Sequence, residues 1–103
     1  MGQEYSFKCT KCGYDAGVSG GRDCGMFAVV RTSICKDCSS LVDVIIGFRG
    51  EDGPSDIPEE DAQIGLCPDC ESKNVVPWAK GHPCPKCGAR MKKDLTKAPL
   101  CWD

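Results

Sequence analysis

The sequence predicts a small, metal-bound, β-rich protein built as two tandem halves of short antiparallel hairpins. Three observations point there. The chain has 103 residues and ten cysteines. Eight of the cysteines form four Cys-x-x-Cys pairs: Cys9/Cys12, Cys35/Cys38, Cys67/Cys70 and Cys84/Cys87. The apolar runs are short and β-branched, and none carries an amphipathic helical period beyond two turns.

Eight thiols in two-residue bites make the ligand set of two tetrahedral sites, for which zinc is the default metal. A half of about 40 to 50 residues buries too little apolar surface to fold unaided. A structural zinc site supplies roughly 10–16 kcal/mol of apparent binding energy, and that energy is folding energy. The expected cofactor is therefore two zinc ions, each replacing part of a hydrophobic core.

Dense cysteine also suits a secreted disulfide scaffold, so compartment has to be argued. The start, MGQEYSFKCTKCGY, has no apolar run of the signal-peptide kind. No stretch approaches the ~18 apolar residues of a membrane span. A cytoplasmic location is expected, where paired thiols are metal ligands rather than disulfides. Met1-Gly2 with Ser6 fits the short myristoylation pattern, which is common by chance. The formal net charge of −2 falls to about −6 once eight thiolates hold two zinc ions, which disfavours polyanion partners.

The division expected is residues 1–49, an acidic linker at 50–65, and residues 66–103. The linker, GEDGPSDIPEEDAQIG, has six acids and two prolines and no Lys or Arg. It reads as a solvated segment, with a helical turn from Pro58 to Gln63 capped by Asp56. Strands are expected over Met26–Ile34, Leu41–Phe48, Val75–Trp78 and Ala89–Lys93. Pro77 confines the third to an edge.

Each Cys-x-x-Cys turn points backbone N–H groups at its thiolates, and a glycine after the second cysteine eases the turn. Gly13 and Gly88 stand there, whereas Ser39 and Glu71 occupy the same place in the other pairs. Four pairs combine in three ways: sequential, interleaved or nested. The sequential choice closes the shortest loops, of 22 and 13 residues, and puts the linker at a domain boundary. It is the favoured pairing.

The segment CPDCESKNVVPWAKGHPCPKCGARM resembles a zinc ribbon, two knuckles separated by a short hairpin. KCTKCGY…SICKDCSSLVDVIIGF looks like a second, longer one. The resemblance implies a three-stranded sheet clamped by one zinc per ribbon, and no particular function. CTKCGYDAG and SDIPEEDAQIGLCPDC are also similar to the knuckles of rubredoxins, which implies iron as a less favoured metal and electron transfer as an alternative role. A disulfide oxidoreductase needs one exposed pair on a βαβ scaffold, which this pattern does not offer.

Cys24 and Cys101 have no cysteine neighbours and read as inert thiols. His82 reads as a turn residue, because better-spaced cysteines already fill a tetrahedron. No catalytic constellation is legible, and no enzyme activity is expected. Trp78 and Trp102 read as covers for a small sheet beside a metal. In the last 38 residues, seven Lys and Arg face four acids. With one Zn(Cys)₄ that leaves about +1, weak for a phosphate-binding surface. A protein partner is expected ahead of nucleic acid, with no membrane partner.

Overall fold

The computed structural model describes residues 2–25 and 27–102, the side chains of Leu100, Cys101 and Trp102 excepted. The sequence expectations for Met26, Cys101 and Trp102 fall outside those limits. The strands are β1 (Gly2–Cys9), β2 (Asp15–Val18), β3 (Arg22–Cys24), β4 (Ala28–Cys35), β5 (Ser40–Phe48), β6 (Glu51–Asp52), β7 (Val75–Pro77), β8 (Met91–Lys93) and β9 (Leu100–Trp102). One short helix, α1, spans Pro58–Asp61. The protein is thus small and β-rich, with antiparallel sheets, as expected.

The first sheet is built on β1. Its residues alternate, with Tyr5, Phe7 and Cys9 facing inward between Glu4, Ser6 and Lys8. β2 pairs along one side of β1, from Tyr5↔Val18 to Lys8↔Asp15. On the other side β8 takes Phe7–Cys9 and β9 takes Gly2–Glu4. The first and last segments of the chain therefore share a sheet.

The second sheet has the order β3-β4-β5-β6, with β7 also on β4. The β4–β5 hairpin is its centre, in register from Cys35↔Ser40 to Ala28↔Phe48 with a bulge between Val29 and Val30. β7 extends it by pairing Val75 with Cys35. Gly47 lies so close to the Glu51 backbone that a Cβ could not fit, which lets β6 fold back onto β5.

Both faces of the hairpin are covered, and so its strands read as nearly continuous apolar runs. Leu41 and Ile34 face a cluster with Phe7, Cys9, Val18, Cys84 and Met91. Val42, Val44 and Cys35 face a second cluster with Cys67 and Val75. Each core is completed by cysteines.

A polar knot joins the sheets. Thr32, 1% exposed, donates to Asp43 Oδ1 at 2.6 Å and accepts the Gly20 amide at 2.9 Å. Ser19 donates its amide to Asp43 Oδ2 at 2.9 Å, and its hydroxyl to Oδ1 at 3.0 Å. Thr32→Val keeps the shape but strands the Gly20 amide and removes a donor from a carboxylate. It is expected to lower stability by roughly 1–3 kcal/mol in denaturant melts of the metal-loaded protein.

The acidic segment is tied to the sheet. Arg49 grips Glu60 with its two terminal guanidinium nitrogens, at 3.1 and 2.9 Å. Arg22 holds Asp52 at 2.7 Å. The cap of α1 differs from expectation: Ile57 occupies the N-cap and gives no side-chain cap. Asp61 instead reaches back to the amides of Ser55 and Asp56, at 2.7 and 3.2 Å. The Ser55 amide holds the Asp61 carboxyl below its ordinary value. Asp56 has a left-handed φ of 68°, which turns the chain into the helix.

Candidate metal centres

The eight paired cysteines gather into two tetrads, Cys9/Cys12/Cys84/Cys87 and Cys35/Cys38/Cys67/Cys70. The pairing is nested, which corrects the sequential expectation. Loop closure was the wrong arbiter, because doubling a loop costs only about 0.6 kcal/mol. Strand pairing outweighs it: β8 completes β1 beside Cys9, and β7 completes β4 beside Cys35.

The geometry suits a metal. Sulfur–sulfur separations are 3.4 Å for Cys9–Cys87 and 3.6 Å for Cys12–Cys84. In the other tetrad they are 3.6 Å for Cys35–Cys70 and 3.9 Å for Cys38–Cys67. Four sulfurs about 2.3 Å from a zinc ion stand about 3.8 Å apart, at the corners of a tetrahedron. A disulfide would need about 2.05 Å.

Each knuckle is built the same way. Its first cysteine, Cys9, Cys35, Cys67 or Cys84, is buried at a core edge, and its second lies further out. The amides of Lys11 and Cys12 reach Cys9 Sγ at 3.4 Å. Cys38 N reaches Cys35 Sγ at 3.4 Å, and Lys86 N reaches Cys84 Sγ at 3.3 Å. These N–H groups offset thiolate charge. The Cys12 and Lys11 amides bring the Cys9 thiol down to about 6. In the other tetrad the Cys70 thiol and burial push Cys38 up.

The residue after each second cysteine has positive φ: Gly13 at 81°, Ser39 at 52°, Glu71 at 61° and Gly88 at 81°. Ser39 and Glu71 thus make the turn that glycine makes elsewhere, at some strain. Glu71→Gly is expected to stabilise the protein by about 0.5–1 kcal/mol, read as a higher Tm with unchanged metal content.

Contacts between knuckles hold the tetrads in place. Asp37 accepts from the Ser72 hydroxyl, and Lys36 N donates to Asn74 O at 2.9 Å. Thr10 Oγ1 donates to Arg90 O at 3.3 Å. Tyr14, which the sequence reading passed over, takes the Cys9 amide on its carbonyl at 2.7 Å and the Leu41 amide on its hydroxyl at 3.1 Å. It fastens the first tetrad to the central hairpin; no sequence signal marks that contact.

Trp78 packs against the cluster that contains Cys9 and Cys84, and its indole N–H donates to Pro83 O at 2.9 Å. His82 stacks on Trp78 with ring centroids 4.1 Å apart, and stands outside both tetrads. Cys24 lies in β3, half-buried and also outside them.

Fold and sites together define a small antiparallel β protein with two cysteine tetrads able to hold metal ions. The chain matches no family model, and neither a curated protein nor a solved structure is significantly similar to it. Among the described residues, no helix is long and apolar enough to cross a membrane.

Proposed function

We propose that the protein is a non-enzymatic, cytoplasmic interaction module whose two Zn(Cys)₄ centres are structural, in the manner of zinc ribbons, and whose partner is another protein. The observation that carries this reading is the ligand set. Four sulfurs at each site fill a zinc tetrahedron and leave no position for a water or substrate. Catalytic zinc keeps such a position open. The chemistry each metal supplies is structural, fixing two knuckles against each other. The chain's own residues do the rest: backbone N–H groups donate to the sulfurs, and Trp78 packs against the cluster that holds the buried sulfurs of the first tetrad.

Iron in the same tetrads, with rubredoxin-like electron transfer, is the alternative chemistry. Elemental analysis and zinc-edge X-ray absorption of protein purified without added metal test the reading. The expected result is zinc in both sites with sulfur-only coordination. A red, iron-loaded protein would replace it with the redox reading. The partner class is tested by capture on the loaded protein with and without nuclease. Retention after nuclease supports a protein partner, and loss supports nucleic acid.

A further inference from the structure

We propose that a ridge of cations along β8 and the adjoining end of β1 binds an acidic, extended segment of a partner protein. This rests on the interaction-module reading and assigns it a surface. Lys8, Arg90 and Lys92 converge on one face there although Lys8 is far from the others in sequence, because β8 pairs with β1, while Lys93, the register partner of Phe7, lies on the other face over the Tyr5 ring. Lys8 and Lys92 are register partners. Directly opposed like charges destabilise an antiparallel pair, so this pair is better accommodated with an anion over it. Lys97 follows a few residues on.

Asp15 and Asp94 are acids described beside them, and Asp94 interacts electrostatically with both Lys97 and Lys8. Asp15 pairs with Lys8 on the far side of β1 and stands 3.9 Å from Lys97. Asp94 turns its carboxylate to the amide and hydroxyl of Thr96, at 3.0 and 2.6 Å. Among the described residues, that Lys97–Asp15 contact is the one ion pair these five cations make. Shallow hollows flank the ridge on both faces of the β1–β8 ladder. Phe7, Ser19, His82 and Met91 help line one, and Thr10 and Thr96 the other, with Lys92 and Lys93 common to both. Cys9 and Asp94 also line the second hollow, so sulfurs of the first tetrad, which accept backbone N–H groups, stand beside these cations.

Carboxylates fit this surface better than a nucleic acid strand does. Single strands bind through aromatic platforms as well as phosphate contacts. The aromatic rings described beside the ridge are engaged already. Lys93 Nζ sits 3.9 Å over the Tyr5 ring, and Trp78 lies between His82, stacked at 4.1 Å, and Phe7, edge-on at 5.1 Å.

The test uses metal-loaded full chain and a fluorescein-labelled peptide of about twelve alternating Glu and Ala residues, long enough to span the ridge in extended form. Binding is expected at about 50 mM salt and to weaken markedly by about 300 mM, as screening requires. Lys8→Glu/Lys92→Glu is expected to weaken it by about tenfold or more. Lys36→Glu/Lys73→Glu alters net charge equally but lies at the other tetrad, and is expected to bind within about twofold of wild type. Metal content and Tm verify that each variant is folded. Lys92→Glu alone, which sets opposite charges across the pair, is expected to bind less and melt higher.

The proposal is overturned by no peptide binding at low salt, by equal losses in both double variants, or by a charge-matched oligothymidylate binding about tenfold tighter than the peptide. Capture separates this failure from that of the module reading. A partner held equally by wild type and Lys8→Glu/Lys92→Glu leaves the module and removes the surface. No partner held by either removes the module.

Discussion

Cys70→Ser is expected to empty both metal centres under chelator competition, whereas Cys87→Ser empties only its own. The asymmetry comes from the nesting. The inner tetrad joins the turn of the β4–β5 hairpin to the segment that leads into β7. Docked on β4, that segment delivers Trp78 to the first core and aims Cys84 and Cys87 at Cys9 and Cys12. Without the inner metal, the outer site must close the whole intervening loop. The closure term alone is modest, about 0.6 kcal/mol per doubling of loop length. The larger loss is β7 and the packing that follows it. With the inner metal in place, the outer site joins segments already held near each other. In Cys87→Ser the inner tetrad keeps its four sulfurs and its strand pairs. The check is zinc content after dialysis against a weak chelator: about one per chain for Cys87→Ser and about none for Cys70→Ser, if metal binding and folding are coupled. Full retention of the outer metal by Cys70→Ser would show that the sites load independently.

Complete chelation is expected to unfold the protein. Both cores end in cysteine: Cys9 and Cys84 in one, Cys35 and Cys67 in the other. Removing the metal leaves thiols that no longer draw the knuckles together. A structural site contributes on the order of 10 kcal/mol, comparable to the whole stability of a small domain. Loss of near-ultraviolet dichroism from Trp78 and of strand signal should follow chelation together, and return with zinc. Acid should act in the same direction. Metal binding needs the four sulfurs of a site deprotonated, so protons compete with the metal, and release is expected on acidification and not at about pH 8. A chain that keeps its dichroism after metal removal would mean that the apolar clusters suffice.

The ligands were legible in the sequence because Cys-x-x-Cys chemistry is local: two sulfurs reach one metal across a single turn. The central hairpin was legible too, since LVDVIIGF and its partner run are β-branched and bury both faces. β1 carried a readable signal that went unused, the alternation of Tyr5, Phe7 and Cys9 against Glu4, Ser6 and Lys8. The pairing of knuckles was not legible. It depends on which strand finds a partner edge, and β7 and β8 are only three residues each. Residues with little local preference settle it, such as Tyr14 reaching the Leu41 amide. The left-handed turns at Ser39 and Glu71 were legible from their place after a second cysteine, and not from the residues themselves, since neither announces positive φ. The tie between Arg49 and Glu60, which anchors a segment that composition marks as solvated, is a tertiary contact with no sequence periodicity behind it.

The central claim is that two metal ions sit in nested tetrads. Its most direct test is cadmium-113 substitution with through-bond correlation from each metal to the cysteine β-protons. Two cadmium resonances are expected in the tetrathiolate range. One should correlate with Cys9, Cys12, Cys84 and Cys87, the other with Cys35, Cys38, Cys67 and Cys70. Correlations that join Cys9 and Cys12 to Cys35 and Cys38 would contradict it, and with it the arrangement of both sheets.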